Sequence, residues 1–287
     1  MTSAVDTLLS ILDLQDLGDD RFVGDSPQTG RQRVFGGQVI GQAIVAAART
    51  VTAERLIHSM HCYFLRPGDP TVPIEYQVDR LRDGMSFSVR QVKAFQHDKA
   101  IYTLTGSFQR TEKGLEYEAA MPSGVPMPEA LLSEEALVER FADKLPESIA
   151  KYWRRERPIE LRPVSLDHYV SKKPLDPVQN IWVRPTAPIP DDPVIQSAVL
   201  AYLSDMTLLD TALFVHGRSI FDPQLQVASL DHSMWFHRQT ALEDWLLYTQ
   251  DSTSTSGSRG LTRGALYTRE GSLIATTSQE GLMRLKK

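Results

Sequence analysis

AVLAYLSDMTLLDTALF, residues 198–214, is the stretch on which the reading of the chain turns. It is long enough, and rich enough in leucine and alanine, to be a buried helix. Asp191 or Asp192 can cap it, and Pro193 suits its first turn, so the expected helix runs over about 193–214. A helix this apolar on most sides has to be wrapped, and a strongly curved antiparallel sheet from the flanking strands would do that. Asp205 sits in the middle of the run. An ionised carboxylate there costs several kcal/mol unless hydrogen bonds hold it. Asp205 is therefore either a surface residue on a polar stripe or a group with a chemical use and a polar partner. Two later segments, VASLDHSMWFHR (227–238) and ATTSQEGLMR (275–284), read as strands that could bring the Ser229 hydroxyl and the Gln279 amide to it.

The first half repeats this pattern. HSMHCYF (58–64) is echoed by HSMWF (232–236), and SFSVRQVKAFQHDKAIYTLTGSFQR (86–110) by SGSRGLTRGALYTREGSLIATTSQEGLMR (256–284). Each longer segment is two alternating strands joined by a charged turn, His97-Asp98-Lys99 in one and Arg269-Glu270-Gly271 in the other. The separation is 174 from His58 to His232 and 173 from Arg90 to Arg263. Two matches in one order at nearly one offset imply a duplicated unit. The first unit has its own upstream helix, GGQVIGQAIVAAART (36–50). Its glycine entry, Gly36-Gly37, leaves first-turn N–H groups that could stabilise an oxyanion, or else serves a tight turn with close packing. The first helix has the glycine pair but no acid two turns on; the second has Asp205 but no glycine pair. Two half-sites, each lacking what the other has, would make one whole site between the units.

The chain is expected to divide into an N-terminal unit (1–120), a linker with a helix (121–155) and a C-terminal unit (156–287). The linker opens on the proline-rich MPSGVPMP (121–128) and continues in SEEALVERFADKLPESIAKYW (133–153), capped by Ser133 and interrupted near Pro146. STSTSGSRG (252–260) reads as a flexible loop or strand entry.

Composition bounds the function. With 41% apolar and 23% charged residues in 287, the chain can bury a full core. A net charge of −5 without a basic block argues against nucleic acid as a main partner. The lone Cys62 excludes an internal disulfide and fits a reducing compartment, so a cytoplasmic location is expected. No run approaches the roughly 18 apolar residues of a membrane span, the acidic N-terminus is not a targeting signal, and RLKK is not a peroxisomal address. There is no G-x-S-x-G elbow and no phosphate-binding glycine loop; Gly36–Gly41 has the wrong spacing. His58 and His61 fall on opposite faces of a strand, so no metal site and no cofactor is expected. Cys62 reads as a small core residue.

RQRVFGGQVIGQA, LIHSMHCYFLRPGDP, LRDGMSFSVR, LAYLSDMTLL, LDHSMWFHR and TTSQEGLMR together resemble the acyl-CoA thioesterase II family over nearly the whole chain. The resemblance implies an α+β double hotdog fold, two curved antiparallel sheets each wrapped around a long helix. It implies hydrolysis of fatty acyl-CoA to free fatty acid and coenzyme A, with Asp, Thr and Gln orienting the attacking water. Carried over by position, these are Asp205, Ser229 and Gln279; Ser229 departs from the commoner threonine, keeping the hydroxyl but losing the methyl that fixes its rotamer. His58 matches a family histidine whose role, in the site or in strand packing, stays open. A homo-oligomer, dimer or tetramer, is expected by the same analogy. Two other functions remain: a hotdog enoyl-CoA hydratase or dehydratase, which needs a histidine beside a carboxylate, and a non-catalytic acyl-CoA binding protein.

Overall fold

A computed structural model describes residues 2–27, 33–141 and 154–286. The first half comprises α1 (Ala4–Leu12), β1 (Gln15–Gly18), β2 (Arg21–Gly24), α2 (Gly36–Ala48), β3 (Arg55–Phe64), β4 (Ile74–Asp83), β5 (Phe87–Gln96) and β6 (Lys99–Arg110). After α3 (Glu134–Phe141) the second half comprises β7 (Ile159–Pro163), β8 (Val178–Pro185), α4 (Pro193–Ser204), β9 (Leu225–Ser229), β10 (Asp231–Phe236), β11 (Leu246–Ser256), β12 (Arg259–Thr268) and β13 (Leu273–Leu285). The two expected sheets are continuous. They join through antiparallel pairing of β3 with β10, in the order β1-β2-β4-β5-β6-β3-β10-β13-β12-β11-β8-β7, with β9 beside β13.

This order is a palindrome about the β3–β10 pair, as a duplication requires. Met60 and Met234 stand opposite each other across that pair and are separated by the same 174 residues as the two histidines. Outward from them, Met60 faces Gly106 and Gly106 faces Arg90, while Met234 faces Thr277 and Thr277 faces Gly264. Arg90 therefore corresponds to Gly264, not to Arg263. Strand alternation makes the one-residue difference decisive: Arg90 is buried, whereas Arg263 is exposed and pairs with Asp251 at 2.9 Å.

Both helices lie inside the curved sheet, and nearly every residue of α2 from Gly37 to Ala47 is buried. Asp192 caps α4 by accepting from Val194 N at 2.8 Å and Ile195 N at 3.3 Å, and Pro193 opens the helix. The expected single helix to residue 214 is broken. Regular helix ends at Ser204, Asp205 is its C-cap, and a 3₁₀ turn (208–210) and a short helical turn (211–214) follow. By length and composition Pro193–Phe214 is apolar enough to cross a membrane, but 78% of that window is buried within the fold. The first helix likewise stops at Ala48 rather than residue 50.

Two-residue turns join some of the hairpins. His97 and Asp98 both adopt positive φ between β5 and β6, and Gly257 and Ser258 do so between β11 and β12. STSTSGSRG is thus the end of one strand, a tight turn and the start of the next, not a flexible loop. Serine and threonine alternate there as they do on a half-exposed strand. In the linker, Ser133 Oγ accepts from Ala136 N at 3.2 Å, as expected of a cap. Pro146 lies outside the described residues.

The two helices pack antiparallel and unusually close. A Cβ on Gly37 would collide with the Tyr202 carbonyl and the Phe35 ring, and one on Gly41 would sit 3.2 Å from the Ala198 carbonyl oxygen. Small residues at this crossing set the distance between the halves. Gly37→Ala should therefore cost about 1–3 kcal/mol of stability, seen as a lowered thermal midpoint. An unchanged midpoint would show that the seam is not tight.

Candidate active site

Asp205 leaves α4 at its C-cap with φ −87° and ψ −1°. A negative charge at a helix C-terminus is opposed by that helix's own dipole. The antiparallel seam corrects this by bringing the N-terminus of α2 to the same spot. Gly36 lies so close that a Cβ there would be 2.5 Å from Asp205 Oδ2. Phe35, the α2 N-cap, makes no side-chain cap hydrogen bond, so the first-turn N–H groups are not closed off by a local side chain. The two half-sites thus meet.

Gln279 joins them to the sheet. It lies on β13 in the inward-facing register and is only 1% exposed. Its Nε2 donates to Asp205 Oδ1 at 2.8 Å and to Ser229 Oγ at 2.8 Å. Ser229 ends β9 opposite Gly281, whereas in β10 Ser233 stands opposite Ser278, so the register advances by one residue between the two strands. The extra residue is a bulge at Leu230–Asp231; Leu230 N donates to Glu280 O at 2.9 Å, and Glu280 N to Asp231 Oδ1 at 2.7 Å. Such bulges re-aim side chains beside functional sites, and here Ser229 points to Gln279.

His58 stands elsewhere. It occupies a bulge in β3, where its Nε2 lies 2.8 Å from Ser107 Oγ and its ring packs edge-on to Phe87. Its contacts are those of strand packing. Its repeat counterpart, His232, is fully buried behind Gln279. His232 Nδ1 is 3.2 Å from Gln279 Oε1 and Nε2 is 3.0 Å from Ser204 Oγ. The sequence reading missed His232 and Ser204 as parts of this network. The available signal was alternation: His232 and Met234 share the inward face, and β10 pairs with the strand that carries Gln279. Cys62 is buried and its thiol is pushed up by burial, as a core residue's would be.

A cleft of about 310 Å³ opens onto Gly36 and Ser229. Val39, Phe64, Tyr102, Val227 and Leu230 give it apolar walls, and Arg33 and Arg66 stand at its rim.

Residues 24–109 match the model of the acyl-CoA thioesterase N-terminal domain, and residues 151–282 match that of acyl-CoA thioesterase. Acyl-CoA thioesterase 2 of Haemophilus influenzae is 39% identical over 287 residues, covering 100% of both chains. The chain belongs to the acyl-CoA thioesterase family. Acyl-coenzyme A thioesterase 8 of Mus musculus is 42% identical, across 96% of this chain and 88% of that one. The crystal structure of acyl-CoA thioesterase II TesB2 from Mycobacterium marinum matches with a TM-score of 0.80 at 39% identity, covering 98% and 99% of the two chains.

In this thioesterase the pseudo-two-fold generates a second end, which is built differently. Gly36 and Pro193 each open their helix, and at that offset of 157 Asp205 corresponds to Ala48. Ser229 corresponds to Arg55, and Phe108 lies across from the bulge at His58 where Gln279 stands across from His232. That end is closed by charge. Arg90, 1% exposed, donates to Thr50 Oγ1 at 2.8 Å, Thr50 O at 3.0 Å and Asp83 Oδ1 at 2.7 Å. Ser88 donates to the same carboxylate at 2.6 Å, and Arg55 bonds Ser88 and the Gly84 carbonyl. The Ser88 and Arg90 hydrogen bonds hold the Asp83 carboxyl below the usual range.

Burial pushes the His232 imidazole down to about 4 and does the same to His168. Both are neutral in the folded thioesterase at pH 7 and gain protons more readily once unfolded. Their stabilising contribution is complete above the ordinary histidine value of 6.5 and is lost as pH falls toward 4. The expected loss is up to about 3 kcal/mol per histidine, measured by urea denaturation at pH 7 and pH 4.5. His168→Phe should lose less over that interval; an identical loss would show that the acid sensitivity lies elsewhere.

Proposed function

We propose that Asp205, Ser229 and Gln279 carry the hydrolysis of fatty acyl-CoA in this thioesterase, by direct attack of water on the thioester carbonyl. The observation that supports this reading is the single amide nitrogen bridging a carboxylate and a hydroxyl at 2.8 Å each, at the edge of a cleft. Asp205 accepts a proton from the water as its oxygen bonds to the carbonyl carbon. Gln279 holds the carboxylate toward that water. Ser229, which accepts from Gln279, keeps its own O–H to donate and fixes the water's position. The negative charge developing on the carbonyl oxygen is met by the N–H groups at Gly36 and Gly37 at the open end of α2. Collapse of the tetrahedral intermediate breaks the C–S bond, and coenzyme A leaves as a thiolate, a stable enough anion to need little help. Arg33 and Arg66, at the rim of the cleft, are suited to the phosphates of coenzyme A.

A hydratase reading loses support, because both ring nitrogens of His232 are engaged by Gln279 and Ser204 and His58 bonds Ser107. For the chain as a whole we propose unit boundaries at 1–120, 121–155 and 156–287, a homo-oligomeric assembly and a cytoplasmic location.

Thiol release from palmitoyl-CoA tests the assignment. Asp205→Ala should lower kcat by about 10²-fold or more. Ser229→Thr should retain activity, whereas Ser229→Ala should lose it. Wild-type turnover by folded Asp205→Ala removes Asp205 from the reaction. A single turnover in isotopically labelled water, with enzyme in excess, should label the fatty acid and leave the protein unmodified. An acyl adduct on Asp205 or Ser229 that forms and decays at the rate of turnover would instead establish a covalent route.

A further inference from the structure

We infer that His232 is a positioning residue that locks the Gln279 amide in its working orientation. The inference rests on the proposed roles of Asp205 and Gln279 and concerns what holds them. An amide has a donor end and an acceptor end of nearly the same shape. A carboxylate can only accept, so the amide end 2.8 Å from Asp205 Oδ1 must be the NH₂. Its other end, Oε1, then points into a fully buried region, where an unmet carbonyl oxygen is costly. The partner there is His232 Nδ1, at 3.2 Å. Nδ1 must therefore carry a hydrogen. In the neutral ring that leaves Nε2 as an acceptor for the Ser204 hydroxyl at 3.0 Å, so the hydroxyl's one hydrogen is shared between Nε2 and the Ala201 carbonyl at 2.9 Å.

The relay closes on itself. Ser204 is the last residue of α4 and Asp205 is the next, so Ser204, His232, Gln279 and Asp205 form a ring of side chains that begins and ends at one helix terminus. Tyr248 pins that terminus from a third strand, its OH donating to Ser204 O at 2.9 Å. Without the histidine donor the amide can rotate and present Oε1 to the carboxylate, with two acceptors face to face. The consequence falls on the reacting end, which meets the cleft at Ser229, and leaves the apolar walls of the cleft unchanged.

The test uses two replacements of equal polarity. His232→Asn places an amide nitrogen near the Nδ1 position and can still donate to Gln279. His232→Gln places it near Nε2, on the Ser204 side, and cannot. Each is made in the wild-type chain and in Gln279→Ala, with kcat and KM for palmitoyl-CoA and a thermal melt. We expect kcat of His232→Asn to exceed that of His232→Gln by about tenfold or more, with KM values within about twofold, and the gap to vanish in the Gln279→Ala background. Ser204→Ala, a smaller change, should lower kcat about threefold and do so only when Gln279 is present. Equal kcat for the Asn and Gln variants, or a gap that persists without Gln279, overturns the role of His232 alone. Wild-type kcat in Gln279→Ala by itself overturns the proposed site, and the role of His232 falls with it.

Discussion

The contact between α2 and α4 is the constraint on which the rest of the molecule depends. Two helices can approach this closely only where side chains are missing, and Gly36, Gly37 and Gly41 supply the gaps along one face of α2. Running antiparallel, the helices put the N-terminus of one beside the C-terminus of the other. That placement has an electrostatic result as well as a packing one. Asp205 stands at the end of its own helix, where the dipole opposes a negative charge, yet against the start of a neighbouring helix, where the dipole favours it. A carboxylate that α4 alone would hold poorly is accommodated at the junction. Any side chain at position 36 would displace it.

The same junction explains why duplication gives one candidate site rather than two. A pseudo-two-fold through Met60 and Met234 offers two equivalent ends. At the proposed site there are Gly36, Asp205, Ser229 and Gln279. At the other end Pro193 stands where Gly36 would be, Ala48 where Asp205 would be, and Arg55 where Ser229 would be, with buried Arg90 filling the interior. Arg90 donates to the carbonyl of Thr50, just past the end of α2, whereas the corresponding terminus of α4 is met by the Tyr248 hydroxyl at Ser204 O. One end of the duplicated fold carries a structural ion pair, and the other keeps an accessible cleft.

Much of this was legible in the residues. The 174-residue offset, the wrapped helices and the strand pairs follow from periodicity and repeated strings; the set Asp205, Ser229 and Gln279 came from the family resemblance, and the structure brings the three residues together. What escaped has physical causes. The break after Ser204 was hidden because apolar residues continue through 214 and carry the burial signal across a change in backbone geometry. Arg90 and Arg263 looked equivalent because a string match ignores strand parity, and one residue turns a side chain from core to solvent. His58 and His232 look alike in sequence, yet the bulge in β3 contains His58 and turns it to Ser107, while the bulge of the second half falls at Leu230–Asp231 and leaves His232 behind Gln279. A bulge leaves little trace in composition.

The two ends also differ in how they hold a carboxylate, and the difference bears on chemistry. Asp83 is gripped by the Arg90 guanidinium and the Ser88 hydroxyl, and its affinity for a proton is correspondingly reduced. A charged donor of that kind suits an acid whose task is to stay ionised and hold a fold together. Asp205 accepts a hydrogen bond from the neutral amide of Gln279. A neutral donor orients a carboxylate without adding a formal positive charge of its own. The amide in turn is held by a histidine that burial keeps neutral, so no formal positive charge enters along that branch of the network. An arginine at position 279 would hold Asp205 more tightly and make it a poorer base. In the role proposed for Asp205, a glutamine backed by a buried neutral histidine fixes the carboxylate in place while leaving it free to take a proton from water.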